Sequence, residues 1–433
     1  MPSERTYPLS LEVQPLKRKP KAVVSVPGSK SITNRALVLA ALSYRCSVVG
    51  ALHSEDVEVM VECLRRLGFE VKADWDTARI EVARPKGVDR PIPNDQADLF
   101  VGNSGTTMRF LTAMVSLGRG TYRLDGVERM RQRPMQDLLD ALKHLGVDAK
   151  SENNNGCPPV VIRTKGLHGG RTAVRSELSS QFLSGLLMAT PFSTNATVIE
   201  VPGPLVSQPY VEMTVQMMNR VGLKVDRTPD GEISVPGHQR VSHHEINVEP
   251  DASSASYFFA AAAITGGAVT VADISRASLQ GDVAFVDILE QMGCRVEECS
   301  HGITVHGRPL RGVDVSMGAI SDTAMTLAAV ACFAEGPTTI RDVGHIRHKE
   351  TDRIAALATE LRKLGAEVKE HDDGLTIIPR PLNGAVIETY NDHRMAMSMA
   401  LIGLKVPGVT IANPGCVAKT YPGFWDDLEK IRT

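Results

Sequence analysis

The sequence predicts an α/β protein of the α+β repeat type, with two domains that each contain three β-α-β-β-α-β units. Three observations lead to this prediction. One helix pattern ends in a Leu-Gly, Val-Gly or Met-Gly pair, and a second helix pattern is apolar almost all round. At 433 residues the chain is also too long for one ordinary core, so we expect two domains.

The first pattern occurs five times and predicts a helix followed by a β-hairpin. Glycine readily adopts the left-handed conformation that ends helices, and the alternation of apolar and polar residues after it predicts a strand. Turn residues then close the hairpin, as at Pro229-Asp-Gly231, Ser300-His-Gly302 and Asp372-Asp-Gly374. The glycines lie roughly 70–78 residues apart, at Gly68, Gly146, Gly222, Gly293 and Gly365.

The second pattern occurs six times and predicts buried helices. Each begins with small or polar residues and continues with alanine, leucine and methionine on all sides, so it has no polar face for solvent. The six predicted helices are Ser29–Leu42, Asn103–Leu117, Ser179–Thr190, Ser253–Ile264, Ser321–Ala334 and Asn391–Leu404.

Six buried helices but only five hairpins leave one unit incomplete. We expect the N-terminal strands Leu11–Val13 and Ala22–Val26 to complete the sixth unit. Residues 1–22 and 246–433 then form one discontinuous domain, and residues 23–245 form a domain inserted into it. The Pro-, Gly- and His-rich segment Val235–His244 is interpreted as the linker, although a surface loop has the same composition.

Composition excludes several classes of protein. The formal net charge of −2 and the aromatic content of 4% argue against a nucleic-acid partner. The apolar stretches are far shorter than the roughly 20 residues that span a bilayer, so we expect no membrane partner. The N-terminus has no secretory pattern, and the seven cysteines never form Cys-x-x-Cys, so we expect a cytoplasmic protein with free thiols.

Three histidine clusters raise the question of a metal site. They are His243-His244-Glu245, His301 with His306, and His345 with His348. None matches the His-Glu-x-x-His pattern or has a cysteine companion. We therefore expect no metal.

The stretch Pro27–Arg35 predicts a strand, a tight turn and a helix start that can bind an anion. The first N–H groups of a helix lack intrahelical partners and favour an anion, and Lys30 and Arg35 add positive charge. The turn is not a P-loop, because Ser29 separates Gly28 from Lys30.

Three other buried helices begin in a similar way. Asn103–Arg109 offers small side chains and hydroxyls, Glu177–Gln181 offers hydroxyls and an amide, and Asn391–Arg394 places a histidine beside an arginine. Each alone fits an ordinary helix cap. Their recurrence at equivalent places in the repeat favours a shared cleft.

Cations lie in these helix starts and in charged clusters between the helices. A solvated basic loop and helix-capping charge are the alternative interpretations of such clusters. If they converge, they would hold two small anionic substrates between the domains, and Asp322 and Glu350 would be the carboxylates able to move protons. The cations are Lys30, Arg35, Arg133, Lys349, Arg353, Arg394 and Lys419.

Taken together, these stretches resemble the family of 5-enolpyruvylshikimate-3-phosphate synthases. The matching motifs run in the family's order from position 27 to 424: PGSKSITNRAL, GNSGTTMR, RMRQRPM, SSQFLSGLLMA, LVSQPY, SDTAMT, RHKETDRI, TYNDHRMAM and AKTYPGF. The resemblance implies transfer of the enolpyruvyl group of phosphoenolpyruvate to the 5-hydroxyl of 3-phosphoshikimate by addition and elimination, with release of phosphate. It places this reaction in the shikimate pathway of aromatic amino-acid biosynthesis. It implies the enolpyruvyl transferase fold around an inter-domain cleft that closes, and no cofactor. We expect a monomer.

The resemblance also implies a role for each matching residue. For 3-phosphoshikimate these are Lys30, Ser31, Arg35, Ser179, Ser180, Gln181, Ser207, Tyr210, Asp322, His345 and Lys349. For phosphoenolpyruvate they are Lys30, Gly105, Arg133, Gln181, Arg353, Arg394 and Lys419. Asp322 matches the acceptor of the hydroxyl proton and Glu350 the group that protonates the methylene carbon, with Lys30 and His393 completing the catalytic set.

Three positions bear on how closely this chain follows the family. His345 stands where many members have asparagine, and Phe110 stands where many have proline. Gly105 matches the form that leaves room for the inhibitor glyphosate, which predicts sensitivity.

Two other functions are considered. The sister enzyme that acts on UDP-N-acetylglucosamine typically carries a cysteine in the loop before an Arg-Pro pair, and Val127–Gln132 has none before Arg133-Pro134. A binding or scaffold repeat protein is the non-enzymatic alternative, and it would lack substrate-dependent protection.

Overall fold

A computed structural model of the chain describes residues 6–228 and 232–432, so the predicted turn Pro229–Gly231 lies outside the described residues. The chain divides into two compact units. The terminal unit comprises Met1–Pro27 and Glu249–Thr433, and the central unit comprises Gly28–Val248.

The described residues form twelve α-helices. They are α1 (Lys30–Leu42), α2 (Glu55–Arg66), α3 (Gly105–Met114), α4 (Gln136–His144), α5 (Gln181–Ala189), α6 (Gln208–Arg220), α7 (Ala252–Thr265), α8 (Phe285–Gln291), α9 (Ala324–Ala331), α10 (Arg353–Lys363), α11 (His393–Gly403) and α12 (Phe424–Lys430). Short 3-10 helices cover Val115–Leu117, Met130–Gln132, Thr190–Phe192, Gly281–Ala284, Gly318–Thr323, Gly344–His348 and Pro414–Lys419.

The strands of the described residues are short. In the first half of the chain they are β1 (Ser10–Glu12), β2 (Lys21–Val24), β3 (Arg45–Val49), β4 (Glu70–Asp74), β5 (Arg79–Ala83), β6 (Gln96–Phe100), β7 (Arg119–Asp125), β8 (Asp148–Ser151), β9 (Val160–Lys165), β10 (Gly170–Ala173), β11 (Thr197–Glu200), β12 (Asp226–Arg227) and β13 (Ile233–Val235). In the second half they are β14 (Glu245–Asn247), β15 (Ala268–Ala272), β16 (Arg295–Cys299), β17 (Gly302–His306), β18 (Leu310–Arg311), β19 (Asp314–Ser316), β20 (Ala334–Glu335), β21 (Thr338–Arg341), β22 (Glu367–His371), β23 (Gly374–Ile378), β24 (Val386–Ile387) and β25 (Thr410–Ala412).

Within the described residues, five four-stranded sheets share one topology. In each, the first strand runs parallel to the second, and the second packs antiparallel against a hairpin. The orders are β14-β3-β5-β4, β6-β7-β9-β8 and β10-β11-β13-β12 in the central unit, and β2-β15-β17-β16 and β19-β21-β23-β22 in the terminal unit. A three-stranded sheet, β24-β25-β1, follows the same pattern, and β18 pairs with β20.

The repeat is therefore confirmed, but its predicted internal order was wrong. The observed order is β-α-β-α-β-β, as in β6-α3-β7-α4-β8-β9. A single strand separates the buried helix from the Gly-terminated helix, and the hairpin and the next edge strand then follow in succession. The sequence pattern did not show on which side of each helix the extra strand lies.

Two edge strands lie directly before the points where the chain passes from one unit to the other, and each pairs within the unit that it leaves. Strand β2 pairs with β15 in the terminal unit, and β14 pairs with β3 in the central unit. The prediction that Ala22–Val26 completes the sixth repeat was therefore wrong, because this strand completes the fourth. Strand β1 completes the sixth by pairing antiparallel with β25.

The segment Val235–His244 is not a linker, because it is hydrogen-bonded within the central unit. The N–H of Ser242 donates to the carbonyl of Val221 at 3.0 Å, and Gln239 Nε2 donates to the carbonyl of Lys224 at 3.0 Å. The chain passes between the units at Val248–Glu249.

Both helix patterns have the predicted burial and ends. Helices α1, α3, α5, α7, α9 and α11 are buried along almost their whole length. Helix α9 begins later than predicted, because residues 321–323 belong to the preceding 3-10 helix, in which Ile320 has non-helical angles (φ −126°, ψ 40°). Glycines in the left-handed region follow α2, α4, α6, α8 and α10, for example Gly68 at φ 92° and Gly365 at φ 100°.

Candidate active site

In the central unit, the start of α1 presents a lysine that is paired with a buried carboxylate. Ser29 caps the helix and accepts a hydrogen bond from the N–H of Ile32. Lys30 Nζ lies 3.3 Å from Oδ2 of Asp56, which belongs to α2 and is almost fully buried. Asp56 thus fixes the position of the ammonium group, and the sequence analysis did not identify it.

Arg35 lies one turn further along α1 and is 1% exposed. Its Nε donates to Thr214 Oγ1 at 2.7 Å, and its Nη2 donates to the carbonyl of Tyr210 at 3.1 Å. Its Nη1 donates to the carbonyl of Ser31 at 3.0 Å. Burial lowers the pKa of Arg35 to about 10. This guanidinium joins α1 to α6 and holds Ser31 and Tyr210 in place.

The start of α3 is packed against two arginines. A Cβ on Gly105 would lie 2.5 Å from Nη2 of Arg133 and 2.6 Å from Nη1 of Arg109. Arg133 Nη1 donates to the carbonyl of Asn103 at 3.3 Å, so the guanidinium lies across the turn that precedes the helix. Helix α3 continues through Phe110, whose ring lies 5.0 Å from the guanidinium carbon of Arg35.

Arg109 connects the start of α3 to the start of α5. Its Nη1 donates to Oε1 of Gln181 at 3.0 Å and to the carbonyl of Gly105 at 3.3 Å, and its guanidinium lies over the ring of Phe182. The N–H of Gln181 donates to Ser179 Oγ at 3.2 Å. The structure therefore brings Gly105, Arg133 and Gln181 together around Arg109. Arg109 lies within the predicted motif GNSGTTMR but had no predicted role.

The remaining predicted residues of the central unit lie at the starts of α5 and α6. Ser180 is buried directly before α5. Ser207 is buried directly before α6 with a left-handed backbone (φ 52°), and its carbonyl accepts from the N–H of Tyr210.

In the terminal unit, Asp322 lies among three cations. Its Oδ1 is 3.1 Å from Lys349 Nζ and 3.4 Å from Arg353 Nη1, and its Oδ2 is 2.8 Å from Arg394 Nη2. These residues come from the start of α11, the start of α10 and the loop before α10. Burial lowers the pKa of Lys349, while the Asp322 carboxylate opposes that change.

Arg353 connects the three carboxylates of this cluster. It is 1% exposed, its Nη2 lies 2.8 Å from Glu350 Oε2, and its Nε lies 2.8 Å from Asp392 Oδ2. Burial alone would lower the pKa of Arg353, but the charges of Asp392, Glu350 and Asp322 outweigh it and raise the pKa. The guanidinium therefore holds the two predicted proton-transfer groups, Asp322 and Glu350, at its two Nη atoms.

Asp392 caps α11 and orients the residues that follow it. Its Oδ1 accepts from the N–H of Arg394 at 2.9 Å and lies 3.7 Å from His393 Nδ1. Arg394 Nη1 also donates to the hydroxyl of Tyr257 at 3.4 Å. Asp392 had no assigned role in the sequence analysis, although its place directly before the His-Arg pair was a signal for a helix cap.

His345 contacts the residue next to Asp322. Its Nε2 lies 2.9 Å from Ser321 Oγ. Burial lowers the pKa of His345 to about 3, and the charge of Lys349 acts in the same direction. The imidazole is therefore neutral at physiological pH. Lys419 is buried at the end of the 3-10 helix Pro414–Lys419.

Contacts thus link several of the predicted residues within each unit, through Arg35 and Arg109 in the central unit and through Arg353 in the terminal unit. The part of the chain that the structure describes contains no candidate metal centre. No group of three or more His, Cys, Asp and Glu among residues 6–228 and 232–432 has the arrangement of metal ligands. No helix of these residues is long and apolar enough to cross a membrane.

The family model described as EPSP synthase (3-phosphoshikimate 1-carboxyvinyltransferase) matches residues 16–428. The chain belongs to the EPSP synthase family. Its activity is that of a 3-phosphoshikimate 1-carboxyvinyltransferase, a transferase of the shikimate pathway of aromatic amino-acid biosynthesis. The predicted family, enzyme class and pathway are confirmed.

Individual relatives agree with this result. The 3-phosphoshikimate 1-carboxyvinyltransferase of Nostoc punctiforme is 48% identical over 418 residues, which cover 96% of this chain and 97% of the relative. The chloroplastic 3-phosphoshikimate 1-carboxyvinyltransferase of Arabidopsis thaliana is 45% identical over 436 residues, which cover 97% of this chain and 84% of the relative.

Solved structures confirm the enolpyruvyl transferase fold. EPSP synthase from Acinetobacter baumannii superposes with a TM-score of 0.80 at 26% identity, covering 98% of both chains. The enolpyruvyl transferase NikO from Streptomyces tendae superposes with a TM-score of 0.77 at 20% identity, covering 98% of this chain and 96% of the other. At that identity the second likeness concerns the fold alone.

Proposed function

We propose that the chain transfers the enolpyruvyl group of phosphoenolpyruvate to the 5-hydroxyl of 3-phosphoshikimate and releases phosphate. Both substrates are small polyanions, and the two clusters described above are rich in cations and helix starts, which bind such groups. The observation that carries the proposed chemistry is the contact of Arg353 with both Asp322 and Glu350, at 3.4 Å and 2.8 Å.

A first set of residues is proposed to bind 3-phosphoshikimate. Arg35 supports this set indirectly as well, because it holds the backbone of Ser31 and Tyr210. The set is Lys30, Ser31, Arg35, Ser179, Ser180, Gln181, Ser207, Tyr210, Asp322, His345 and Lys349. His345 donates or accepts a hydrogen bond as a neutral imidazole, as an asparagine amide also does.

A second set is proposed to bind phosphoenolpyruvate. Bidentate contacts of guanidinium groups suit both its carboxylate and its phosphate. Because Gly105 has no side chain, the guanidinium of Arg133 can lie against the start of α3. The set is Lys30, Gly105, Arg133, Gln181, Arg353, Arg394 and Lys419. Glyphosate, which also carries a carboxylate and a phosphonate, is proposed to compete for this set.

The reaction is proposed to proceed by addition and elimination. In the addition, the 5-hydroxyl oxygen attacks C2 of phosphoenolpyruvate, its proton passes to Asp322, and Glu350 gives a proton to C3, which becomes a methyl group. In the elimination, the bond from C2 to the phosphate oxygen breaks, a methyl proton returns to Glu350, and phosphate leaves with the proton held by Asp322. Each carboxylate thus ends in the protonation state in which it began.

Fixed cations are the proposed source of transition-state stabilisation. Charge on the phosphate and carboxylate of phosphoenolpyruvate changes during both steps, and preorganised cations stabilise it without reorganisation. Lys30 is included in the catalytic set for this reason. His393 is included because it lies buried beside Asp392, between the cap and Arg394.

We further propose that the chain acts as a monomer in the cytoplasm, since one chain carries both sets of binding residues. All seven cysteines are free thiols in the structure, which is typical of a reducing compartment. Light scattering of the purified protein measures the oligomeric state.

The test is phosphate release from phosphoenolpyruvate by the purified chain with a chelator present. We expect turnover with 3-phosphoshikimate and none with UDP-N-acetylglucosamine. Turnover with the UDP-sugar alone, or with neither acceptor, would overturn the proposed reaction.

A further inference from the structure

A fully buried carboxylate outside the proposed site lies on α10. Glu360 is 0% exposed and accepts three hydrogen bonds. Its Oε1 accepts from the hydroxyl of Tyr390 at 2.7 Å, and its Oε2 accepts from the backbone N–H of Glu388 at 3.0 Å and from Lys363 Nζ at 2.8 Å. Two of the three donors belong to the segment that leads into α11.

That segment has an uncommon backbone conformation. Tyr390 and Asn391 are consecutive non-glycine residues in the left-handed region, each with φ 53°. Such a conformation costs free energy and persists only where the surroundings impose it. A turn follows, in which the N–H of Asp392 donates to the carbonyl of Thr389 at 2.8 Å. The contacts of Glu360 with Glu388 and Tyr390 therefore stabilise the segment at its left-handed residues.

The same helix holds the segment at a second point. Arg353 of α10 binds Asp392 through Nε and Nη2, at 2.8 Å and 3.3 Å. Positions 353 and 360 are seven residues, or about two turns, apart, so both side chains leave the same face of the helix. One rigid helix thus fixes the segment at Glu388 and Tyr390 with a carboxylate, and at Asp392 with a guanidinium.

We propose that Glu360 is a positioning residue for Arg394. It acts through its contacts with Tyr390 and the backbone of Glu388, which fix the turn before Asp392. Asp392 caps α11, and its Oδ1 accepts a hydrogen bond from the N–H of Arg394. Arg394 in turn reaches Asp322 at 2.8 Å. The inference rests on the proposed function only in assigning Arg394 to phosphoenolpyruvate.

A purely structural role for Glu360 makes a different prediction. If the carboxylate only satisfied buried donors, its removal would lower thermal stability and leave the kinetic constants of the folded enzyme unchanged. If it positions Arg394, its removal raises the KM for phosphoenolpyruvate, because a small displacement of a substrate-binding cation weakens its contact.

The experiment compares Glu360→Gln and Tyr390→Phe with wild type. Glutamine cannot accept at both Oε positions, and Tyr390→Phe deletes one hydroxyl from a side chain that is 41% exposed, so it remains informative if the buried variant fails to fold. Lys363→Gln is the matched control, because it removes the third partner of the same carboxylate without touching the segment. Steady-state kinetics for each substrate are measured together with thermal melting.

We expect Glu360→Gln and Tyr390→Phe to raise the KM for phosphoenolpyruvate on the order of tenfold. The KM for 3-phosphoshikimate is expected to change much less, and Lys363→Gln is expected to behave as wild type. A lower melting temperature with unchanged KM in Tyr390→Phe would overturn the positioning role while leaving the proposed function intact. A wild-type enzyme without turnover would instead contradict the proposed function.

Discussion

Gly105 and Arg133 are so close that a Cβ on the glycine would lie 2.5 Å from Nη2 of the arginine. Gly105→Ala must therefore displace the guanidinium of Arg133 and also that of Arg109, whose Nη1 would be 2.6 Å away. Since Arg133 is assigned to phosphoenolpyruvate, we expect the KM for this substrate to rise on the order of tenfold. Steady-state kinetics with each substrate varied in turn measure the effect.

The KM for 3-phosphoshikimate provides the internal control for Gly105→Ala. The KM for 3-phosphoshikimate is expected to stay near the wild-type value, and glyphosate is expected to inhibit the variant less than wild type. Equal increases of both KM values would indicate a general distortion of the central unit, and an unchanged KM for phosphoenolpyruvate would contradict the assignment of Arg133.

Asp322→Asn is expected to lower kcat by about two to four orders of magnitude, the usual contribution of a positioned general base. The KM values should not rise, because the substitution removes a negative charge from a site of three cations and leaves the site more attractive to anions. A rapid phosphate assay measures both constants.

The matched control for this variant is Asp314→Asn. Asp314 also pairs with an arginine, Arg341, at 2.5 Å, but the pair lies on the exposed surface. We expect this control to retain wild-type kinetics. Near-normal kcat in Asp322→Asn would remove the aspartate from the catalytic set.

Much of the fold was predictable because its signals are local. A helix that is apolar all round is buried, and a glycine before an alternating stretch ends a helix and begins a hairpin. The pairing of β2 with β15 was not predictable, since it joins residues about 250 positions apart and depends on which sheet edge is open. The order of elements in the repeat was misjudged for a related reason, because short edge strands have weak patterns.

The site was predictable in its motifs and not in its supporting contacts. Lys30, Arg353 and Arg394 stand out at helix starts, where cations beside orphan N–H groups indicate anion binding. Asp56 and Glu360 carry no such signal, because an acidic residue on an amphipathic helix is usually a solvated side chain. Only the packing of the helices reveals that both carboxylates are buried against donors from other elements.

His345 predicts a pH dependence of stability. Its pKa is lowered from 6.5 to about 3 by burial and by Lys349, so on acidification the unfolded chain takes up a proton that the folded chain does not. The free energy of unfolding therefore falls as the pH decreases from about 6.5 towards 3, by at most about 1.4 kcal/mol per pH unit from this group. Urea denaturation at several pH values measures the slope.

His345→Asn isolates that contribution, because asparagine does not titrate and the other groups remain. We expect a shallower loss of stability in the variant between pH 6 and pH 4. Parallel stability curves for wild type and variant would show that His345 is not held neutral in the folded state.

The proton transfer assigned to Glu350 is tested most directly by deuterium incorporation at C3 during turnover in D₂O. If Glu350 protonates C3 and then removes a proton from the resulting methyl group, wild type places solvent deuterium in the vinyl group of the product, which mass spectrometry detects. Glu350→Gln should abolish both phosphate release and incorporation, whereas Glu335→Gln on the exposed end of β20 should match wild type. Undiminished incorporation by Glu350→Gln would contradict the account.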